Sequence, residues 1–208
     1  MKRIIKTVYC VLLGLLFSIP VITITDSITA MHFVNFRLRD NEDIKVFEEF
    51  MKSFKMNFKQ SVPFIIFTLG LGALITMAWI DVVKSSPEIN FLAAGLLLVA
   101  TLIYLNVNTM FTYLLAKFDN TTKRLLVLTI YMAIGRIDVM TKLSTLELLA
   151  IVTPVIIICV NTNVVSCIIG GVVFIALLVL FEMVSGKSII PIYEFLIKQE
   201  KKDEPEQQ

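Results

Sequence analysis

The chain contains apolar runs long enough to cross a lipid bilayer, and these runs constrain its fold more than any other feature. A transmembrane helix needs about 20 predominantly apolar residues. The runs at 62–83, 91–116 and 164–184 reach that length, and one at about 146–160 approaches it. Only 17% of the residues are charged, against about 25% in an ordinary soluble domain. We therefore predict an all-α integral membrane protein whose main surroundings are the lipid bilayer.

The first apolar stretch is interrupted by SIPVITITDSITA (residues 18–30), and this interruption decides the topology. One interpretation is a single kinked crossing over 4–36, which gives five spans. A second is a signal peptide cleaved after Ala30, since KRIIK followed by a short apolar core resembles one. A third is a hairpin, in which a proline that cannot continue the first helix precedes a threonine or aspartate that caps the returning helix. The residues of this turn are Pro20, Thr23, Thr25 and Asp26.

Positive charges distinguish these interpretations, because Lys and Arg collect on the cytoplasmic side of membrane spans. A single kinked crossing leaves four of the 19 Lys and Arg residues outside. Cleavage after Ala30 would place the Lys and Arg residues of 37–59 outside. The hairpin leaves only Lys84 outside. We therefore predict six crossings, the first pair a short hairpin, with both termini in the cytoplasm.

Two segments between the predicted spans have the pattern of cytoplasmic-side elbow helices. IKVFEEFMKSFKMNFKQ (44–60) carries an apolar stripe at intervals of three and four, with charged residues on its other faces. This pattern is typical of a helix lying in the membrane interface, or of a soluble helix packing on the rest of the protein. TTKRLLVLTIYMAIGRIDVMTK (121–142) has an uncharged stretch only about 16 Å long as a helix, which is too short to cross. The stripe of the first elbow consists of Phe47, Phe50, Met51, Phe54 and Phe58.

These elbows indicate an internal repeat over 44–116 and 121–186, because each elbow is followed by two predicted spans. Membrane proteins often show such repeats as hydropathy symmetry. We predict one polytopic membrane domain over 1–198. The last residues, 199–208, are charged and polar, so we expect a disordered tail.

Two stretches resemble the YesL family of bacterial integral membrane proteins, whose domain has no established function. SIPVITITDSITAMHFVNFRLRD is similar to the family's apolar run into a Pro-Val-x-Thr turn and a small-residue helix. VFEEFMKSFKMNFKQS is similar to the family's Phe-rich elbow. The matching residues are Pro20, Val21, Thr23 and Ala30 in the first stretch, and Phe50, Phe54, Asn57, Phe58 and Lys59 in the second.

The resemblance implies a bacterial plasma membrane protein with an auxiliary role in carbohydrate uptake, because members are often encoded near sugar-uptake systems. The expected function is a non-catalytic membrane accessory or scaffold, with a sugar transport permease as its partner. The family brings no catalytic residues. The chain departs from it at Thr25-Asp26-Ser27, where members commonly have Gly-Pro-Ala, and at His32, which occupies a tyrosine position.

Polar residues in the predicted span 91–116 favour an alternative function, a small solute transporter. Thr101, Asn108 and Thr112 are spaced seven and four apart and share one helix face. That face could line a solute path, or it could join helices by hydrogen bonds. In the first elbow, Asn57 and Lys59 are candidates for anchoring the helix or contacting a partner.

Acidic residues inside apolar runs are functional candidates, because placing them in hydrocarbon is costly. Glu182 lies about one turn before the cytoplasmic end of the last span. Its carboxylate could be functional, or it could reach the interface or pair with Lys187. Glu147 fits a capping box with Ser144, and we interpret His32 as a packing residue.

The sequence carries no pattern that indicates catalysis. It has a single histidine, three cysteines without a C-x-x-C pair, and no phosphate-cradling glycine loop. A basic patch with interleaved aromatic residues is also absent. We therefore expect no enzymatic activity, no cofactor, no metal and no nucleic-acid partner.

Overall fold

The computed structural model describes residues 2–84, 91–118, 121–160 and 163–203, and these ranges are helical almost throughout. Four segments within them are long and apolar enough to cross a bilayer: Val46–Lys84, Phe91–Lys117, Thr141–Val160 and Val164–Ser185. The predicted all-α architecture is confirmed, and the four long segments are compatible with a membrane protein. The helices are α1 (Lys2–Phe17), α2 (Ile24–Asp40), α3 (Val46–Lys84), α4 (Phe91–Lys117), α5 (Thr122–Gly135), α6 (Ile137–Val160) and α7 (Val164–Asp203).

Helices α1 and α2 form an antiparallel hairpin, as the interrupted apolar stretch predicts. Lys6, near the start of α1, donates to the carbonyl of Ile44 at 3.2 Å, just beyond the end of α2. Gly14, near the end of α1, packs so closely on α2 that a Cβ there would lie 3.2 Å from Met31 Sδ. The predicted cap is wrong, because α2 begins after Thr23 without a side-chain cap.

Two hydroxyl groups in the turn between the two helices donate to backbone carbonyls. Ser18 donates from its hydroxyl to the Gly14 carbonyl at 2.7 Å. Thr23 donates from its hydroxyl to the carbonyls of Phe17 (2.6 Å) and Pro20 (2.7 Å). Pro20 has no N–H to satisfy.

The tip of the hairpin lies level with the middle of the long helices. Asp26, in the first turn of α2, accepts a hydrogen bond from Ser61 Oγ at 2.6 Å. The end of α3 at Lys84 is a further 23 residues along the helix, or about 35 Å. On the other side of the turn, Ser18 lines the same cavity as Tyr104, the central residue of α4.

This depth does not fit the predicted pair of crossings, and six crossings are not confirmed. A turn at the outer surface would lie near the end of α3 rather than beside Ser61. The helices of the hairpin have 16 and 17 residues, or about 25 Å each, less than the roughly 30 Å thickness of the hydrocarbon core.

The first predicted elbow is not a separate helix. Residues 46–61 continue through Pro63 into the apolar part of α3. The stripe is also divided between two environments: Phe50 is fully buried, whereas Phe47 is exposed. The Phe50 and Phe54 rings both lie 5.4 Å from the ring of Phe17, so this segment packs along the hairpin.

The second predicted elbow, 121–142, is divided between a short helix, α5, and the first residues of α6, so it is not confirmed as one elbow helix. The two predicted repeat halves therefore differ, since the first half joins its elbow and span in one helix. Helix α7 continues to Asp203, so the predicted tail begins as helix. Residues 204–208 lie outside the described residues.

Helices α6 and α7 form the most extensive helix pair among the described elements. At their crossing, a Cβ on Gly170 would lie 3.0 Å from Ile158 Cγ1 and 3.3 Å from the Pro154 carbonyl oxygen. Small residues allow membrane helices to approach in this way. The adjacent Gly171 has no such neighbour within 4 Å.

Cysteine labelling tests the depth of the hairpin tip. In a variant with the three native cysteines replaced by alanine, we expect Ile22→Cys to resist a membrane-impermeant maleimide added to intact cells, because the hairpin is too short to reach the level of Lys84 at the far end of α3. Asn163→Cys, in the short α6–α7 connection, is the matched control and should be labelled. Both thiols should react after denaturation. Equal labelling of the two positions in intact cells would instead support a hairpin that crosses the membrane.

Candidate functional site

The carboxylate of Glu182 is buried in the middle of the helix bundle. Its side chain is 1% exposed, and its Oε1 lies 2.8 Å from His32 Nδ1. Asn35 Nδ2 donates to its Oε2 at 2.9 Å. Because His32 and Asn35 are three residues apart on α2, they present their side chains to α7 together. This burial excludes the alternative in which Glu182 reaches the interface, and the side chain of Lys187 lies outside the described residues.

The ring of His32 is also fixed from its other side. It stacks on Tyr113 of α4 with ring centroids 3.6 Å apart and 14° between the planes. The Tyr113 hydroxyl forms a hydrogen bond with the Ser185 hydroxyl of α7. We refer to Glu182, His32, Asn35, Tyr113 and Ser185 as the Glu182 cluster. It joins α2 to α4 and α7.

Arg39 adds a second polar contact between the hairpin and α7. Its guanidinium donates to the carbonyls of Met183 at 3.2 Å and Glu182 at 3.5 Å. These carbonyls belong to the backbone of α7. The second arm of the hairpin is thus held to α7 over two helical turns, from His32 to Arg39.

A cavity of about 390 Å³ lies beside the hairpin, and residues of α1, α2, α3, α4, α6 and α7 line it. Most of its wall is aliphatic or aromatic. His32 reaches it from the Glu182 cluster. Pockets of this kind, apolar with a few placed polar groups, are typical ligand sites. Other polar lining residues include Thr25, Tyr104, Asn108, Thr109, Thr112 and Glu147.

The first part of the chain, which contains the hairpin, matches a known protein family. Residues 7–79 match the family described as "Protein of unknown function, DUF624". No curated protein and no solved structure matches the chain. We refer to residues 7–79 as the DUF624 segment. It supplies His32 and Asn35 to the Glu182 cluster, whereas Glu182 and Tyr113 lie outside it.

Two predicted residues, Asn108 and Thr112, line the cavity. Asn108 Nδ2 donates to the Tyr104 carbonyl at 2.8 Å, and Thr112 Oγ1 donates to the Thr109 carbonyl at 2.8 Å. These bonds lie within α4, so neither side chain joins two helices through them. Thr101, on the same predicted face, does join helices, because it accepts a hydrogen bond from Trp79 Nε1 of the DUF624 segment at 3.0 Å. On this face of α4, Thr101 therefore joins two helices, whereas Asn108 and Thr112 line the cavity.

Glu147 has a different role from the predicted capping box. Helix α6 begins at Ile137, so Ser144 lies inside the helix and donates to the Thr141 carbonyl at 3.3 Å. Glu147 instead extends toward α4, where Thr109 Oγ1 donates to its Oε2 at 2.5 Å. Glu147 and Thr109 both line the cavity.

The remaining predicted residues belong to the DUF624 segment. Asn57 donates to the Ser53 carbonyl at 3.0 Å on its own helix, and Lys59 is exposed. Asp26 is fully buried and paired with Ser61 rather than exposed in a turn. Neither Asn57 nor Lys59 lines the cavity.

Sequence reasoning interpreted His32 as a packing residue and did not assign its partner. His32 is indeed 1% exposed, yet it also faces a carboxylate 150 residues later in the chain. The sequence contains two clues to the contact: His32 and Asn35 lie three residues apart on one helix, and Glu182 is an acidic residue in a late apolar run. No local pattern connects the two.

A double-mutant cycle tests the pairing of His32 with Glu182. We expect His32→Leu to be strongly destabilising, by about 3–5 kcal/mol, because it leaves a buried carboxylate without its main partner. The double variant His32→Leu/Glu182→Leu should be more stable than the sum of its single variants predicts, with a coupling of about 1–3 kcal/mol. The measurement is equilibrium unfolding in mild detergent.

The exposed pair Lys45–Glu48, whose charged atoms lie 2.8 Å apart, is the matched control. Its cycle should show no measurable coupling, since exposed ion pairs contribute little. Additive effects of His32→Leu and Glu182→Leu would contradict the pairing.

Proposed function

We propose that the chain is a non-catalytic membrane protein that binds and carries a small solute, with the cavity beside the hairpin as its binding site. The observation that carries this proposal is that residues from α1, α2, α3, α4, α6 and α7 converge on one cavity. Transporters commonly place their substrate sites near the middle of the bilayer, beside interrupted helices. The turn at Pro20 supplies such an interruption.

The proposed topology has four crossings and a re-entrant hairpin, with both termini on the cytoplasmic side of a bacterial plasma membrane. The positive-inside rule supports it. A hairpin that enters and leaves on one side places the same residues in the cytoplasm as two crossings do, and only Lys84 among the 19 Lys and Arg residues then lies outside. In this arrangement α5 and residues 46–61 lie at the cytoplasmic side.

The polar side chains of the cavity suit a solute that passes among hydrogen-bonding groups. Tyr104, Asn108 and Thr112 lie along one side of α4, and Thr25 faces them from the hairpin. Polar side chains within membrane spans generally face a bundle interior or a solute pathway.

Labelling of single cysteines tests whether the cavity is open to water. In the cysteine-free background, Asn108→Cys should react with a small, charged methanethiosulfonate reagent in inverted or right-side-out vesicles, because a hydrated cavity permits thiolate formation. Ile103→Cys, on the lipid-facing side of the same helix (Ile103 is 57% exposed), is the matched control and should not react. Failure of Asn108→Cys to react in both vesicle orientations would refute a solute pathway here.

A second candidate function is an accessory to a carbohydrate uptake system, as the resemblance to the YesL family implies. The observation that favours it is the exposed face of α3 over residues 47–59. Phe47 is 49% exposed and Phe58 is 39% exposed, and both lie among exposed lysines. Exposed aromatic residues are enriched where proteins bind partners.

Affinity purification from the native membrane in gentle detergent tests the accessory role. We expect stoichiometric recovery of a sugar permease, and its loss when Lys52 and Lys55 on this face are both replaced by glutamate. Lys123→Glu, on the exposed side of α5, is the control and should retain the permease. Recovery of the chain without a permease would leave the carrier as the better proposal.

A further inference from the structure

The cavity contains one carboxylate without a matching positive charge. Glu147 is half-buried and lines the cavity, and its partner in the structure is the neutral hydroxyl of Thr109 at 2.5 Å. A carboxylate in a mostly apolar wall is stable only with a counter-charge or with a proton. Thr109 supplies a hydrogen bond but no charge.

The other charged groups near the cavity do not balance the negative charge of an ionised Glu147. Among the lining residues that the structure describes, none is a lysine or an arginine. His32 also lines the cavity, but it faces Glu182 at 2.8 Å. If His32 is protonated, the two charges cancel; if it is neutral, Glu182 adds a further negative charge. The guanidinium of Arg39 is used by carbonyls of α7. An ionised Glu147 thus gives the cavity a net negative charge in either case.

The rest of the wall suits an apolar group attached to a positive charge. Three aromatic rings line the cavity, those of Tyr104, Phe174 and Phe181, together with aliphatic side chains such as Ile151. Aromatic faces attract organic cations, most strongly where water is excluded. A simple hydrated metal ion would gain little from such a wall, because it needs several oxygen ligands.

From this juxtaposition we infer that the cavity binds an organic monocation with an apolar body, such as an amine or a quaternary ammonium compound, and that Glu147 pairs with its charge. The inference rests on the proposed function, because it names the class of solute that the cavity accepts. It assigns the binding charge to Glu147 and the apolar contacts to the surrounding rings and aliphatic side chains. The Glu182 cluster remains the contact that holds the hairpin.

Equilibrium dialysis of the protein in lipid nanodiscs tests this assignment. The probe is benzyltrimethylammonium, a permanent cation small enough for a cavity of about 390 Å³, and its neutral carbon isostere neopentylbenzene is the comparison. We expect the wild type to prefer the cation, and Glu147→Gln to weaken cation binding by roughly tenfold or more, because a desolvated charge pair is lost. Binding of the neutral isostere should not change. Glu48→Gln, on the exposed side of α3, should behave as wild type.

A second measurement on the wild type keeps the test independent of any variant that fails to fold. Dicyclohexylcarbodiimide labels carboxyl groups in apolar surroundings, and mass spectrometry locates the adduct. Benzyltrimethylammonium should protect Glu147 from labelling and leave the labelling of Glu182 unchanged.

The outcomes separate this inference from the proposed function. Equal binding of cation and isostere, unaffected by Glu147→Gln, overturns the cation assignment but leaves a solute cavity. Absence of cation binding also overturns it. The proposed function is judged separately by the reactivity of Asn108→Cys, which does not depend on the identity of the solute.

Discussion

The arrangement of this protein depends on one constraint: backbone groups at membrane depth must find hydrogen-bond partners within the protein. At residues 18–23, two hydroxyls and a proline contribute to this. Ser18 and Thr23 donate to the carbonyls of Gly14 and Phe17, and Pro20 has no backbone N–H. A polar turn can therefore end beside the middle of α4. The cavity lies where the hairpin ends, between its tip and the longer helices.

The Glu182 cluster gives this hairpin a fixed position. A buried ion pair adds little net stability, because the attraction of the charges is offset by the loss of their hydration. Replacing only one of its two partners is nevertheless strongly destabilising. His32 and Asn35 can satisfy Glu182 only at one register of α2 against α7. Stacking on Tyr113 fixes the plane of the imidazole as well. The cluster thus specifies where the hairpin lies, and the surrounding apolar contacts supply most of the stability.

The spans and the turn could be predicted from the sequence, because both depend on local patterns. The hydropathy of the sequence predicts the bounds of α4 to within one residue. Pro20 and the threonines that follow it predict the turn. The depth of the turn could not be predicted from charge, since a re-entrant hairpin and a crossing hairpin return the chain to the same side. The amphipathic pattern of residues 46–61 predicts a helix but not its fusion with the next span. The partners His32–Glu182 and Thr109–Glu147 lie far apart in sequence, so no spacing rule connects them.

The close crossing of α6 and α7 has a mechanical consequence. Because a methyl group on Gly170 would lie 3.0 Å from Ile158 and 3.3 Å from the Pro154 carbonyl, the two helices are in tight contact at this point, and we refer to the pair as the strut. Glu147 is carried on one half of that strut and Glu182 on the other, so their separation stays nearly constant. Because His32, Asn35 and Arg39 also hold α2 to α7, any change in the width of the cavity would have to come from its other walls, on α1, α3 and α4.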